Sequence, residues 1–167
     1  MAEPLIFDAP TFTVNAHIEA RARHPVTRDK VVLTQHGRSW TYREFRNESV
    51  RVAHFLLQRL GRQSEEQPGH VAMLLENHLE LLALYGGCAY AGLTLFGVNT
   101  GLRGEVLAGV LNHSRSRVLV VDEKFWPEVQ RVQKDLQHLG TENILLRPTQ
   151  GGDVPPGHIA RACLERD

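Results

Sequence analysis

The sequence predicts an α/β protein: an N-terminal helix and β-hairpin followed by a mainly parallel, layered sheet of repeated strand–helix units. Three observations carry this expectation. Short apolar runs begin at His70, Leu93, Arg117 and Asn143, a recurrence of about 23 to 26 residues, which is the length of one strand–helix unit. The run His70-Val71-Ala72-Met73-Leu74-Leu75 is nearly continuous rather than alternating, as in a strand covered on both faces. Upstream, His36-Gly37 sits between Val31–Thr34 and Ser39–Thr41, a turn between two strand-forming segments.

Each element has a local reason. A short helix is expected over Phe12–Arg23, ending before Pro25. Thr41 and Glu44 have capping-box spacing, in which each side chain satisfies a free backbone donor at a helix start. The helix they begin runs from Tyr42 to about Leu60, with Phe45, Val52, Phe55, Leu56 and Leu60 on its buried side. Gly61 is expected to close it in the left-handed conformation. Gln63–Gly69 reads as a polar loop. Further helices are expected over His78–Tyr90, about Arg103–Asn112 and about Phe125–Leu139, alternating with strands at Leu93–Val98, Arg117–Val121 and Asn143–Leu146. The three crossovers should be right-handed. Thr149–Gly157 is a loop by composition, and Ile159–Arg166 has room for two helical turns.

Composition narrows the function classes. A chain of 167 residues fits one domain and buries roughly 70% of its extended surface, enough for a core without disulfide or metal staples. Lys plus Arg and Asp plus Glu balance at 19 each, so no global charge favours nucleic acid or an anionic membrane. Cys88 and Cys163 match no disulfide, metal or redox spacing and read as a core and a tail residue of a reducing compartment. Met1–Pro10 lacks the basic start and apolar run of a signal peptide. The most apolar stretch, Val71–Val98, is interrupted by Glu76, Asn77, His78, Glu80 and several glycines, so no membrane span is expected.

Motifs for chemistry are few. There is no GxxxxGK[ST] phosphate loop and no GxSxG elbow. The nine histidines (His17, His24, His36, His54, His70, His78, His113, His138 and His158) form no HExxH pair and read as surface residues. The glycosylation triplets at Asn47 and Asn112 are chance matches without a secretory signal. Asp122 follows a strand directly, where a phosphoacceptor or ribose-binding acid would lie, but a helix cap is the favoured role. Gly97, Gly101 and Gly104 lie between a strand and a helix without GxGxxG spacing. The favoured reading of Asn99–Arg103 is a junction in which Asn99 or Thr100 caps the helix and Arg103 faces solvent or a carboxylate. Gly86 and Gly87 weaken a helix and are read as allowing close helix–sheet packing.

Several segments together carry a family resemblance. They are Trp40-Thr41-Tyr42-Arg43-Glu44-Phe45, Leu74-Leu75-Glu76-Asn77-His78-Leu79-Glu80, Ala89-Tyr90-Ala91-Gly92, Val98-Asn99-Thr100-Gly101-Leu102-Arg103-Gly104-Glu105, Leu111-Asn112-His113-Ser114 and Val118-Leu119-Val120-Val121-Asp122. In this order, over about Thr34–Val121, the chain resembles the N-terminal region of the adenylate-forming (AMP-binding) superfamily. It is most similar to the fatty-acid and very-long-chain acyl-CoA synthetases. Thr100 stands where many members carry Pro.

The resemblance implies a ligase that uses ATP and Mg²⁺ to adenylate a carboxylic acid and then passes the acyl group to coenzyme A. Such chemistry needs a Ser/Thr/Gly-rich phosphate loop ending in Lys, a Tyr-x-Thr-Glu type motif, an Asp for the ribose and a Lys on a mobile C-terminal domain. None of these is in this sequence, so no catalytic, cofactor-binding or metal residue is carried over. ATP, Mg²⁺ and CoA are implied for the complete enzyme only. The expectation is a single domain over 1–167, a truncated N-terminal subdomain: helix, hairpin and long helix over 1–69, strand–helix units over 70–147, and a loop and tail over 148–167. It would not be catalytic alone. Its expected partners are the remainder of the ligase or a second chain, with fatty acid, ATP and CoA as ligands of the whole and a homodimer as a further option. The location implied is cytoplasmic, with peripheral membrane association compatible. The alternative from another class is a free-standing flavodoxin-like binding or signalling module.

Overall fold

The computed structural model describes residues 13–148; the expected tail elements, and His158 and Cys163, lie outside the described residues. Helix α1 spans Val14–Arg23, with the Thr13 hydroxyl accepting the Ala16 N–H. A hairpin follows, β1 (Val31–Gln35) against β2 (Arg38–Thr41), its turn made by His36 and Gly37, both at positive φ. The capping box at Thr41 and Glu44 is complete and starts α2, Tyr42–Leu60. Gly61 does close α2, but at φ 60° and ψ −147° rather than in the left-handed helical well. That backbone region still requires glycine.

Four parallel strands then form in the order β4-β3-β5-β6: β3 His70–Leu74, β4 Thr94–Gly97, β5 Val118–Asp122 and β6 Ile144–Arg147. Between them lie α3 (Leu79–Ala91), α4 (Gly104–His113) and α5 (Trp126–Val132). The continuous apolar runs have the cause expected of them. All five residues of β5 are buried, because Val118 and Val120 face α2 and α3 while Leu119 and Val121 face α4 and α5. Each fully buried Val or Leu there contributes roughly 1.5–3 kcal/mol. With α3 on one face for the step to β4, and α4 and α5 on the other for the steps in the opposite direction, the three crossovers share one hand, as the right-handed rule requires.

Two expectations need correction. The helix expected over Phe125–Leu139 is only Trp126–Val132, flanked by single 3₁₀ turns at Glu123–Phe125 and Gln133–Asp135. Asn112 of α4 is the cause. Its amide nitrogen donates to the Asp135 carbonyl and its amide oxygen accepts the Gln137 N–H, both at 2.8 Å, which replaces the helix's own pairing. The other correction concerns Gly86 and Gly87, which lie against α2 rather than the sheet. A Cβ on Gly86 would sit 2.8 Å from Ser49 Cβ and closer still to its Oγ, and one on Gly87 would sit 2.5 Å from Val52 Cγ1. The pair is a helix–helix seam.

Candidate functional site

In open sheets of parallel strands, ligands favour the crevice beyond the strands' carboxyl ends, where the winding direction reverses. Here that point lies between β3 and β5, since β3 connects outward to β4 and the chain then returns across β3 to β5. The charged residues of the strand ends meet there.

Asp122, the last residue of β5, is 1% exposed. Its Oδ2 accepts the Glu76 N–H at 2.8 Å, and its Oδ1 lies 3.2 Å from Arg147 Nη1. Arg147 ends β6 directly opposite Asp122 in the ladder, and its Nη2 reaches Glu80 Oε2 at 3.2 Å. The other Glu80 oxygen accepts from Arg38 of the hairpin at 2.8 Å. His78 completes the cluster. Its Nδ1 accepts the Leu81 N–H at 3.0 Å, capping α3, so the neutral ring carries its proton on Nε2, 3.3 Å from Asp122 Oδ1. The Gln35 side chain also donates to the Asn77 carbonyl.

The electrostatics follow from this pairing. Burial pushes the Glu80 and Asp122 carboxyls up, but the opposing bonds from His78, the backbone and, for Glu80, Arg38 outweigh it and hold both below the ordinary carboxylate range. Burial likewise opposes a charge on His78, yet the Asp122 and Glu80 carboxylates leave its pKa raised. Two carboxylates face two guanidiniums, while two buried nitrogens of the cluster, Arg38 Nη2 and His78 Nε2, make no hydrogen bond among the described residues. The cluster can tie hairpin, helix and sheet ends together; it presents no nucleophile–base pair.

Asp122 is therefore neither a helix cap nor an open phosphoacceptor: its side chain makes no cap bond to the following turn. His78 and His70 leave the surface group: both are half-buried, and His70 Nδ1 bonds the Ser114 carbonyl at 2.7 Å. His78, Glu80, Arg38 and Arg147 were not singled out from the sequence. The available signal was positional: β5 and β6 each end on a charged residue, Asp122 and Arg147.

The glycine-containing junction is closed, though not as expected. Asn99 Oδ1 accepts the Gly101 N–H at 2.8 Å, a turn within the loop rather than a helix cap. The N-cap of α4 is Arg103, which makes no side-chain cap bond. Its Nη1 donates to the Thr100 and Leu102 carbonyls, each at 2.7 Å, and its Nε lies 3.6 Å from Glu128, the expected carboxylate. At the opposite end of the sheet, Arg115 and Arg117 border a cavity of about 230 Å³, with their guanidiniums bonded to the Glu65, Glu66, Gln67 and Leu60 carbonyls. A second cavity, about 310 Å³, lies between β1 and the start of α3, walled by Leu33, Leu79 and Leu82.

Comparison with known proteins places this architecture. The family model described as AMP-binding enzyme matches residues 18–156. The chain is 32% identical over 112 residues to the 4-hydroxybenzoate–CoA/benzoate–CoA ligase of Rhodopseudomonas palustris, covering 67% of this chain and 20% of that protein. It is 30% identical over 111 residues to the fatty acid–[acyl-carrier-protein] ligase ScoC of Streptomyces coeruleorubidus, covering 66% and 20% respectively. Among solved structures, the anthranilate CoA ligase AuaEII in complex with anthranoyl-AMP aligns with a TM-score of 0.73 at 25% identity, over 90% of this chain and 28% of that one. A benzoate CoA ligase from Burkholderia xenovorans has the same fold here, with a TM-score of 0.68 at 18% identity over 91% and 29%. The chain spans about one fifth of the length of the curated relatives it matches. Nothing in these likenesses supports a free-standing flavodoxin-like module.

Proposed function

The chain belongs to the AMP-binding enzyme family, and from that premise we propose that it is the N-terminal part of an ATP-dependent acyl- or aryl-CoA ligase. One observation carries the reading: the family match runs through nearly all of the described fold, yet the chain spans only about a fifth of its ligase relatives. The relatives' names span benzoates and fatty acids, and the resemblance read from the sequence favours a fatty acid. The complete enzyme would join a carboxylic acid to AMP and then to CoA. ATP with Mg²⁺ supplies the activation in that chemistry, because the departing pyrophosphate needs its charge neutralised.

The residues described here do not fit those groups. At the sheet's winding reversal, the carboxylates of Asp122 and Glu80 are engaged by Arg147, Arg38 and His78. At the start of α4, the Arg103 guanidinium is folded onto two carbonyls of its own loop. Among the described residues no cluster of His, Cys, Asp or Glu has the arrangement of a metal site. No step of the reaction is therefore assigned to this part, and its role is to supply a sheet layer on which the active site is assembled. The remainder of a ligase polypeptide, or a second chain, is its partner in this reading. A cytoplasmic location fits it, and no helix among the described residues is long and apolar enough to cross a membrane.

The test is pyrophosphate exchange by the chain alone, with ATP, Mg²⁺ and a panel of fatty and aromatic acids. No acid-dependent exchange above a heat-killed control is expected. Exchange that requires the acid would overturn the reading, since it would need transition-state donors placed within this chain.

A further inference from the structure

At His78 the two protonation states ask for different partners. The residue precedes α3 in the connection from β3, and although half-buried as a whole its side chain is only 9% exposed. Nδ1 accepts the Leu81 N–H at 3.0 Å, and the same nitrogen lies 3.4 Å from Glu80 Oε2. Nε2 lies 3.3 Å from Asp122 Oδ1 without the alignment of a hydrogen bond. The ring thus stands between a helix end that needs an acceptor and two carboxylates that take donors. A neutral imidazole serves the first and an imidazolium only the second, because protonation turns Nδ1 from an acceptor into a donor. The exchange orphans nothing, since the Leu81 N–H also bonds the His78 carbonyl at 3.2 Å. The proton has a path as well: His78 lines the open cavity between β1 and the start of α3.

The surrounding charges decide how the ring is held. Glu80 of α3 and Asp122 of β5 attract the imidazolium, and Arg147 of β6, which pairs with both, opposes it. Arg38 of β2 takes the other Glu80 oxygen. Glu48 of α2, 3.1 Å from Arg51, adds a buried carboxyl near Glu80 and Arg38. In the β3–α3 connection itself, Glu76 is paired with Lys124 from the turn after β5. We propose that His78 is a proton-operated latch at the head of α3: neutral, it caps the helix; charged, it releases the cap and ties Glu80 to Asp122. Burial opposes the charge, but the contacts with Asp122 and Glu80 outweigh it and raise the His78 pKa, so the exchange falls above pH 6.5. Charge-assisted bonds to carboxylates are stronger than a neutral cap bond. The charged form is therefore the more stable fold overall, while the first turn of α3 is held less tightly. That turn borders the crevice at the sheet's winding reversal, so pH sets how firmly one wall of the crevice is held.

The experiment is an NMR titration of the 167-residue chain from pH 9 to pH 5, with ring nitrogens and amide exchange followed together. It is run beside His78→Asn, whose side-chain oxygen keeps a cap acceptor but does not titrate. At the alkaline end the ring should carry its proton on Nε2, and Leu81 should be equally protected in the two proteins. As the ring takes up its second proton, protection of the Leu81 amide should fall roughly two- to tenfold relative to His78→Asn, the worth of one neutral hydrogen bond. The fall should share the ring's midpoint, and the urea midpoint of the parent should rise through the same range relative to His78→Asn. Glu80 and Asp122 are held below the ordinary carboxylate range and stay ionised throughout. Glu48→Gln should leave the Leu81 transition in place; its disappearance would assign the transition to Glu48 and overturn the latch. A neutral ring protonated on Nδ1, a ring still neutral at pH 5, or a ring that titrates while Leu81 protection stays level would each overturn it too. If His78→Asn does not fold, His78→Ser supplies the same kind of acceptor for the comparison.

Discussion

Gly86→Ala tests the α2–α3 seam because two well-known effects oppose each other at that position. Alanine in a helix interior is favoured over glycine by up to about 1 kcal/mol, so at an open site the substitution stabilises. Gly86 is not open: the new methyl would lie 2.8 Å from Ser49 Cβ, a contact that no rotamer change relieves because Cβ moves only with the backbone. Ser49 is fully buried, and its hydroxyl already donates to the Phe45 carbonyl at 2.8 Å. Forcing the helices apart there costs about 1–3 kcal/mol. The net expectation is a loss of about 1–2 kcal/mol, or roughly 2–8 °C in melting temperature for a chain of this size. Urea unfolding followed by circular dichroism reads it. The companion Ser49→Gly removes both clashing atoms, so the double variant should recover at least 1 kcal/mol relative to the sum of the single changes. A Gly86→Ala protein as stable as the parent, or strictly additive effects in the double variant, would refute the close-approach argument.

Asp122→Ala leaves Arg147 short of a partner and orphans the Glu76 N–H, so a loss of about 3 kcal/mol in urea unfolding is expected; a loss under 1 kcal/mol would mean that the cluster is ornamental. Glu80, Asp122 and Glu19 have lowered native pKa values, Glu19 at about 2 through its bond from Arg46, so their stabilisation is complete above their ordinary values of 4.5, 3.8 and 4.5 and is lost as pH falls toward the native ones. His78 runs the other way, its contribution being full below 6.5 and lost as pH rises through its raised native value. Glu80→Gln should flatten the acid limb of a stability-against-pH curve, and an unchanged limb would contradict the pairing. Cys88 is 2% exposed with its thiol pushed up to about 12 by burial, so iodoacetamide at pH 8 should label it only in denaturant, as read by peptide mass spectrometry. Asn99→Ala removes one loop bond and no helix cap, so it should cost under 1 kcal/mol; a larger loss would restore the cap.

Short-range chemistry in this sequence was legible and long-range chemistry was not. Thr41 and Glu44 located the start of α2 because the capping box is complete within four residues. The strand–helix recurrence after His70 was equally plain, since each unit declares itself by its own apolar run. The end of α5 was hidden because Asn112, more than 20 positions upstream, takes over its backbone partners. Asp122 was noticed but misassigned for the same reason: its partners are Glu76 and His78 in the β3–α3 connection and Arg147 of β6, all distant in the chain. The glycine pair at Gly86 and Gly87 announced a close approach, but sequence alone does not say whether a helix or a sheet supplies the other side. The segments that carry the family resemblance hold His78, Glu80 and Asp122 but neither Arg38 nor Arg147, so they did not show that the hairpin, α3, β5 and β6 meet in one cluster.

The position of Arg147 decides where this polypeptide can be shortened. It is the last residue of β6, and its guanidinium joins Asp122 to Glu80 across the top of the sheet. A boundary drawn by strand content would tolerate a cut a residue or two earlier, since β6 is an edge strand. A cut before Arg147 would remove the cation between two buried carboxylates and leave Glu80 with Arg38 and His78 alone. The shortened protein would lose one of the contacts that hold the Asp122 carboxyl low, and with it part of the stabilisation that acid removes. Anyone dissecting this chain into autonomous pieces should therefore keep Arg147 on the N-terminal side of the cut.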